Sequence, residues 1–184
     1  MFNVKWNTKN TINYLGTIDT NLRKAQISAT NKMAAQGLTQ ARKNIRDEYN
    51  VQLKYLTGTN SRGNKFTDIK KTNSEILPAK IIGYDQGLSL GKFKNKQVDS
   101  GVQVEVKKGF PKIVLHAFGP KISRLGKGIF IREGKSRLPI KRLLGPGAAA
   151  MLRQPEVMKK TIAFINSKFK SIMEHEIKFF LKIK

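Results

Sequence analysis

The chain carries two histidines and no cysteine, which removes disulfides, thiolate zinc sites and cysteine nucleophiles together. His116 lies in the apolar run KIVLHAF with no carboxylates at ligand spacing, and reads as a core or interface residue. His175 lies in EHEIKFF, which lacks the second histidine of an H-E-x-x-H zinc helix; it reads as a solvated neighbour of Glu174 and Glu176. The stretch GKGIFIREGKS ends like a phosphate-binding loop in Gly134, Lys135 and Ser136. Five residues separate Gly128 from Gly134 where that loop needs four, and the flanks are strand-like where a helix should follow. Asp47 and Glu48 are adjacent, so on a helix they point in different directions, and no serine sits in G-x-S-x-G. These residues carry no catalytic set, and neither a metal nor a cofactor is expected.

Charge is the stronger signal. Lys and Arg number 36 against 12 Asp and Glu, a formal +24 with a pI near 10.4. Such a balance calls for a polyanionic partner: nucleic acid, an anionic membrane or an acidic protein surface. Lysines dominate the cations, which suits diffuse attraction to phosphates better than bidentate reading of bases. The densest stretch holds Lys121, Arg124, Lys127, Arg132, Lys135, Arg137, Lys141 and Arg142 against the single acid Glu133. A charge run ordinarily just faces water. The functional alternative is a segment facing a polyanion or a partner, with Phe130 alone available for base stacking.

The elements that must position these residues follow from periodicity. The 184 residues are enough for one domain, taken as 1–184, with 1–17 as an N-terminal arm. Between Asp19 and Glu48 there is no proline and one glycine, and Leu22, Ala25, Ala29, Met33, Gly37, Ala41 and Ile45 recur at helical spacing. A long amphipathic helix is predicted, capped by Asp19 or Thr20. The small side chains of Ala25, Ala29, Met33 and Gly37 mark a close-packing stripe, in the core or between subunits. Residues 57–74 are polar and aperiodic, and read as a mobile loop. Strands are predicted at 76–82, 88–90, 102–106, 112–118, 128–133 and 138–144. Residues 102–106 would form a hairpin with 112–118, the latter a central strand apolar on both faces. Gly145 and Pro146 redirect the chain. Pro155 then opens a last helix with an apolar stripe through Met158, Ile162, Ile165, Phe169 and Ile177.

The reading is an α+β domain, with a long N-terminal helix and a C-terminal amphipathic helix packed on a mainly antiparallel β-sheet. No stretch reaches the length of a membrane span and no signal peptide is evident, so a soluble chain made in the cytoplasm is expected. The order of parts resembles the prophage minor tail protein Z family. The likeness is carried by the Ala-rich helix ending in RDEYN, by LSLGKF at 88–93, by SRLPIKRLLGPG at 136–147 with its AAAML turn, and by EHEIKFFL near the end.

That resemblance implies a structural virion protein at the head-proximal end of a phage tail, a ring of six copies that completes the tail and helps join it to the head. Its implied partners are copies of itself, the tail tube or tail terminator, head-connector proteins and, without sequence specificity, genomic DNA in the lumen; no membrane is implied. The rival class is a free nucleic-acid-binding protein of the ribosomal or nucleoid-associated sort, which predicts the same salt-sensitive DNA binding but no place in the particle.

Overall fold

The computed structural model describes residues 8–59, 63–74, 78–119 and 128–182, with side chains from residue 16 onward in the first helix. That helix, α1, spans Thr8–Glu48. It starts well before the predicted cap, so residues 8–17 are helical and continuous with the rest of α1. Asp19 lies within it and pairs one turn on with Arg23, at 3.0 Å. The early turns escaped detection because TKNTINYLGT carries no apolar periodicity and contains Gly16. The far end of α1 is received by the sheet: Lys108 N donates to Glu48 O and Asn50 N donates to Val106 O, each at 2.9 Å.

The C-terminal helix, α4 (Pro155–Leu181), opens with Pro155 in its first turn and with the Gln154 side chain accepting from Val157 N at 3.0 Å. It runs antiparallel to α1. Its orientation differs from the predicted stripe. Val157, Thr161 and Glu176 are buried, whereas Met158, Ile162 and Phe169 are exposed. The reason is polar pairing across the helix interface. Asn44 Nδ2 donates to Thr161 Oγ1 at 2.9 Å, and Ser28 Oγ and Lys32 Nζ donate to Glu176 at 2.5 and 2.6 Å. These bonds turn a partly polar line of α4 inward and rotate the apolar flank out.

The strands pair antiparallel throughout, but in four small sheets and not the single predicted one. The pairs are β1 (Thr67–Lys70) with β2 (Lys80–Gly83), β3 (Leu88–Ser89) with β9 (Leu144–Gly145), and β7 (Phe130–Arg132) with β8 (Ile140–Arg142). Between them in the chain lies the three-stranded sheet β4 (Lys94–Val98), β5 (Gly101–Glu105) and β6 (Lys112–Leu115), in that order. The helix α2 (Lys54–Thr57) and a 3-10 turn, Leu90–Lys92, complete the front of the molecule, and α3 (Ala148–Leu152) leads into α4. The β5–β6 hairpin is as predicted. β4 was not foreseen, since KNKQV has no apolar alternation.

Two expectations on the sheet are corrected. β6 is an edge strand with Ile113 and Leu115 exposed, because β5 holds the central position; only Val114 turns toward Val102 and Val104. His116 is exposed, with a positive φ of 57°, where β6 ends, and so is not a core residue. The polar segment 57–74 also holds more structure than its composition announced. Phe66, Thr67 and Thr72 are buried, and β1 lies against α1. Hydrogen bonds anchor it: Thr67 Oγ1 donates to Leu56 O at 2.7 Å and accepts from Arg42 Nε at 2.9 Å, while Asn31 and Thr72 exchange two bonds of 2.8 Å. Bonds of this kind leave no hydrophobic period in the sequence. Residues 60–62 of that segment, and 76–77 of the strand expected at 76–82, lie outside the described residues.

Candidate interaction surfaces

The predicted basic segment falls on the β7–β8 hairpin. Lys121, Arg124 and Lys127 lie outside the described residues. Arg132, Lys135, Arg137, Lys141 and Arg142 are all exposed. The hairpin register, Phe130↔Arg142, Ile131↔Lys141 and Arg132↔Ile140, sets Arg132 and Arg142 on one face and Lys141 on the other. Aromatic rings hold the two arginines. Arg132 lies 5.6 Å from the Phe118 ring and Arg142 5.3 Å from the Phe130 ring; the two rings are themselves stacked at 6.2 Å. Phe118 and Phe130 also exchange both backbone hydrogen bonds at 2.9 Å, so the aromatic floor is tied to the strands. A guanidinium over a ring face gains a cation–π attraction that holds it in place without neutralising its charge. Lys135 and Arg137 stand at the hairpin tip, where Ser136 Oγ donates to Leu138 O at 2.6 Å.

The remaining site residues fall elsewhere. Gly145 and Pro146 join β9 to α3. A Cβ at Gly145 would meet Phe93 Cε2 at 3.0 Å, and one at Gly147 would meet Gln86 O at 2.5 Å, so the chain passes here too closely for side chains. Ala25, Ala29, Met33 and Gly37 are buried, and a Cβ on Gly37 would touch Ile165 and Ile81 at 3.1 Å. In the single chain this stripe is covered by α4 and β2.

Sequence reasoning missed the polar ladder between α1 and α4. Lys160 pairs with Glu48 at 2.8 Å at one end, Asn44 with Thr161 next, and Ser28 and Lys32 with Glu176 at the other. His175 is solvated and its Nδ1 lies 3.2 Å from Glu176 Oε1, the neighbour relation that the sequence indicated. Burial pushes the Glu176 carboxyl up, but the bonds from Lys32, Ser28 and His175 together outweigh it and hold the group at about 2. A glutamate at the helical period of an apolar stripe was the available signal. Among the described residues no three His, Asp or Glu side chains cluster as metal ligands, and no helix is long and apolar enough to cross a membrane.

The architecture is therefore that of a small α+β protein whose hairpin between β7 and β8 exposes Arg132, Lys135, Arg137, Lys141 and Arg142. Over residues 7–184 the chain matches the prophage minor tail protein Z family, and it belongs to that family. Its class is thus that of the structural proteins of the phage tail. No curated protein and no solved structure matches it.

Proposed function

We propose that this minor tail protein completes the head-proximal end of the tail as a ring of copies, and that its basic hairpin is the face turned toward the polyanion or acidic neighbour met at the head junction. One observation carries the reading. Arg132, Lys135, Arg137, Lys141 and Arg142 crowd a single hairpin with Glu133 as the only acid, and the two arginines rest on aromatic rings. Family membership supports the tail, and the excess of positive charge supports a polyanionic surrounding. Self-assembly would use surfaces other than the small-residue stripe, which α4 already covers; the exposed flank of Met158, Ile162 and Phe169 on α4 is one such apolar surface, and the edge strand β6 with Ile113 and Leu115 is another.

The test reverses charge at Lys135, Arg137 and Lys141 together, leaving the two ring-bound arginines in place. Each change is on the surface and is expected to shift stability by about 0.5 kcal/mol or less. Complementation of particles lacking this protein is expected to fail, with free heads and free tails accumulating. The matched control changes Lys159, Lys168 and Lys178 on α4 to Glu. Equal success or equal failure of the two variants refutes a special role for the hairpin.

A further inference from the structure

At the C-terminal end of α1 the chain builds a second cationic feature, a cavity of about 410 Å³. Arg46 comes from the last turn of α1, Lys54 and Tyr55 from α2, Lys92 from the 3-10 turn, Lys94 from β4 and Lys108 from the turn after β5. Distant parts of the sequence thus bring five cations to one concavity. Lys94 is committed to Glu105, at 2.7 Å. Among the described residues, no carboxylate forms an ion pair with Arg46, Lys54 or Lys92. Lys54 and Lys92 lie instead 5.0 and 4.8 Å from the Tyr55 ring, and Lys92 also lies 5.3 Å from that of Phe66. Burial lowers the Lys92 pKa, and Arg142 nearby lowers it further. A partly buried ammonium without a counter-ion, beside a second cation, works against the fold; an incoming anion relieves that.

We propose that this cavity is a docking site for acidic side chains of a neighbouring protein, an Asp- or Glu-bearing segment that enters between Lys54, Lys92 and Arg46. Concavity favours a carboxylate over duplex DNA, because a convex cylinder lays its phosphates on open faces whereas an acidic side chain reaches into a pocket. Tyr55 already has two ammonium groups over its ring, so it is not open for stacking a base. A second copy is a poor source of such a segment because, of its 12 Asp and Glu residues, Asp19, Glu48, Asp68, Glu105 and Glu176 are already paired with cations within the chain. The inference does not depend on the head-proximal placement or on the β7–β8 hairpin.

The experiment measures binding of a labelled poly-glutamate peptide to the full chain by fluorescence anisotropy. The triple variant Arg46→Ala, Lys54→Ala, Lys92→Ala is expected to weaken binding by about tenfold or more, since each truncation removes a charge from a desolvated contact. The control Lys159→Ala, Lys168→Ala, Lys178→Ala lowers net charge equally and is expected to bind nearly as the wild type does. Equal weakening by both sets would overturn the proposal, as binding would then follow global charge. A short DNA duplex losing more affinity than the peptide in the triple variant would also overturn it, and would make the cavity a phosphate site. Lysine acetylation of the wild-type chain provides a second reading free of any folding defect. The peptide is expected to protect Lys54 and Lys92 and to leave Lys159 and Lys168 reactive; uniform protection sinks the idea.

Discussion

Lys32 and Glu176, 144 residues apart in the chain, meet at 2.6 Å across the α1–α4 interface, and the Glu176 side chain is only 2% exposed. The carboxylate also accepts from Ser28 Oγ, so it fixes where α4 sits along α1. Sliding either helix by one turn would bury that charge without a partner. Glu176→Gln keeps the shape and removes the charge, and is expected to destabilise the chain by about 1–3 kcal/mol in urea unfolding at neutral pH. A neutral result would show that shape alone holds the register.

The same group gives the acid response a sign. Its carboxyl is held at about 2 in the fold against an ordinary 4.5, so its contribution is fully present above about 4.5. That contribution fades as the pH falls from about 4.5 through about 2, because the carboxyl of the unfolded chain protonates first and that of the folded chain last. The stability gap between the wild type and Glu176→Gln is therefore expected to be widest at neutral pH and to close progressively through this window. A gap that is constant with pH would mean that the glutamine acts through packing and not through lost charge.

Asn44 and Thr161 test the ladder at its neutral rung. Thr161 Oγ1 donates to Val157 O at 2.7 Å and accepts from Asn44, whose Oδ1 accepts in turn from Gln40. Thr161→Val leaves the buried Asn44 amide short of a partner and is expected to cost about 1–3 kcal/mol. Adding Asn44→Leu is expected to cost less than the two single changes summed, with a coupling of about 0.5 kcal/mol or more in a double-mutant cycle. Strict additivity would argue that the bond is not made in solution.

Glycines at two close approaches are expected to behave differently. The Cβ of Gly37→Ala meets side-chain atoms of Ile165 and Ile81, which can shift, and the helix gains propensity, so the net change should stay within about 1 kcal/mol. The Cβ of Gly147→Ala meets the Gln86 carbonyl at 2.5 Å, where backbone must move, and a loss of about 1–3 kcal/mol is expected. Thermal unfolding of the two variants side by side checks the order.

What the sequence made legible was periodic. The body of α1 and the Val102–Val104 alternation of β5 are apolar repeats, Pro155 is a breaker that opens α4, and all three stand as read. What it hid was held by polar bonds. β1 is pinned through Thr67 and Thr72, β4 has almost no buried side chain, and the inward line of α4 includes Thr161 and Glu176. The basic hairpin was visible as charge. Its aromatic seat, and the cavity gathered from α1, α2, the 3-10 turn and the turn after β5, depend on long-range packing that no local window contains.

One helix here holds two stabilities. At 41 residues α1 runs about 60 Å, whereas α4, at 27, reaches only about 40 Å. Outward of the pairing of Ser28 and Lys32 with Glu176, the turns from Gly16 to Lys24 are mostly exposed, like a beam clamped at one end. A helical stretch that buries little side-chain surface is marginal, and Gly16 weakens it further. Amide exchange along this single element should therefore fall from fast at Gly16 to slow at Ala41, so that the protein carries a built-in gradient from pliant to rigid along its longest axis.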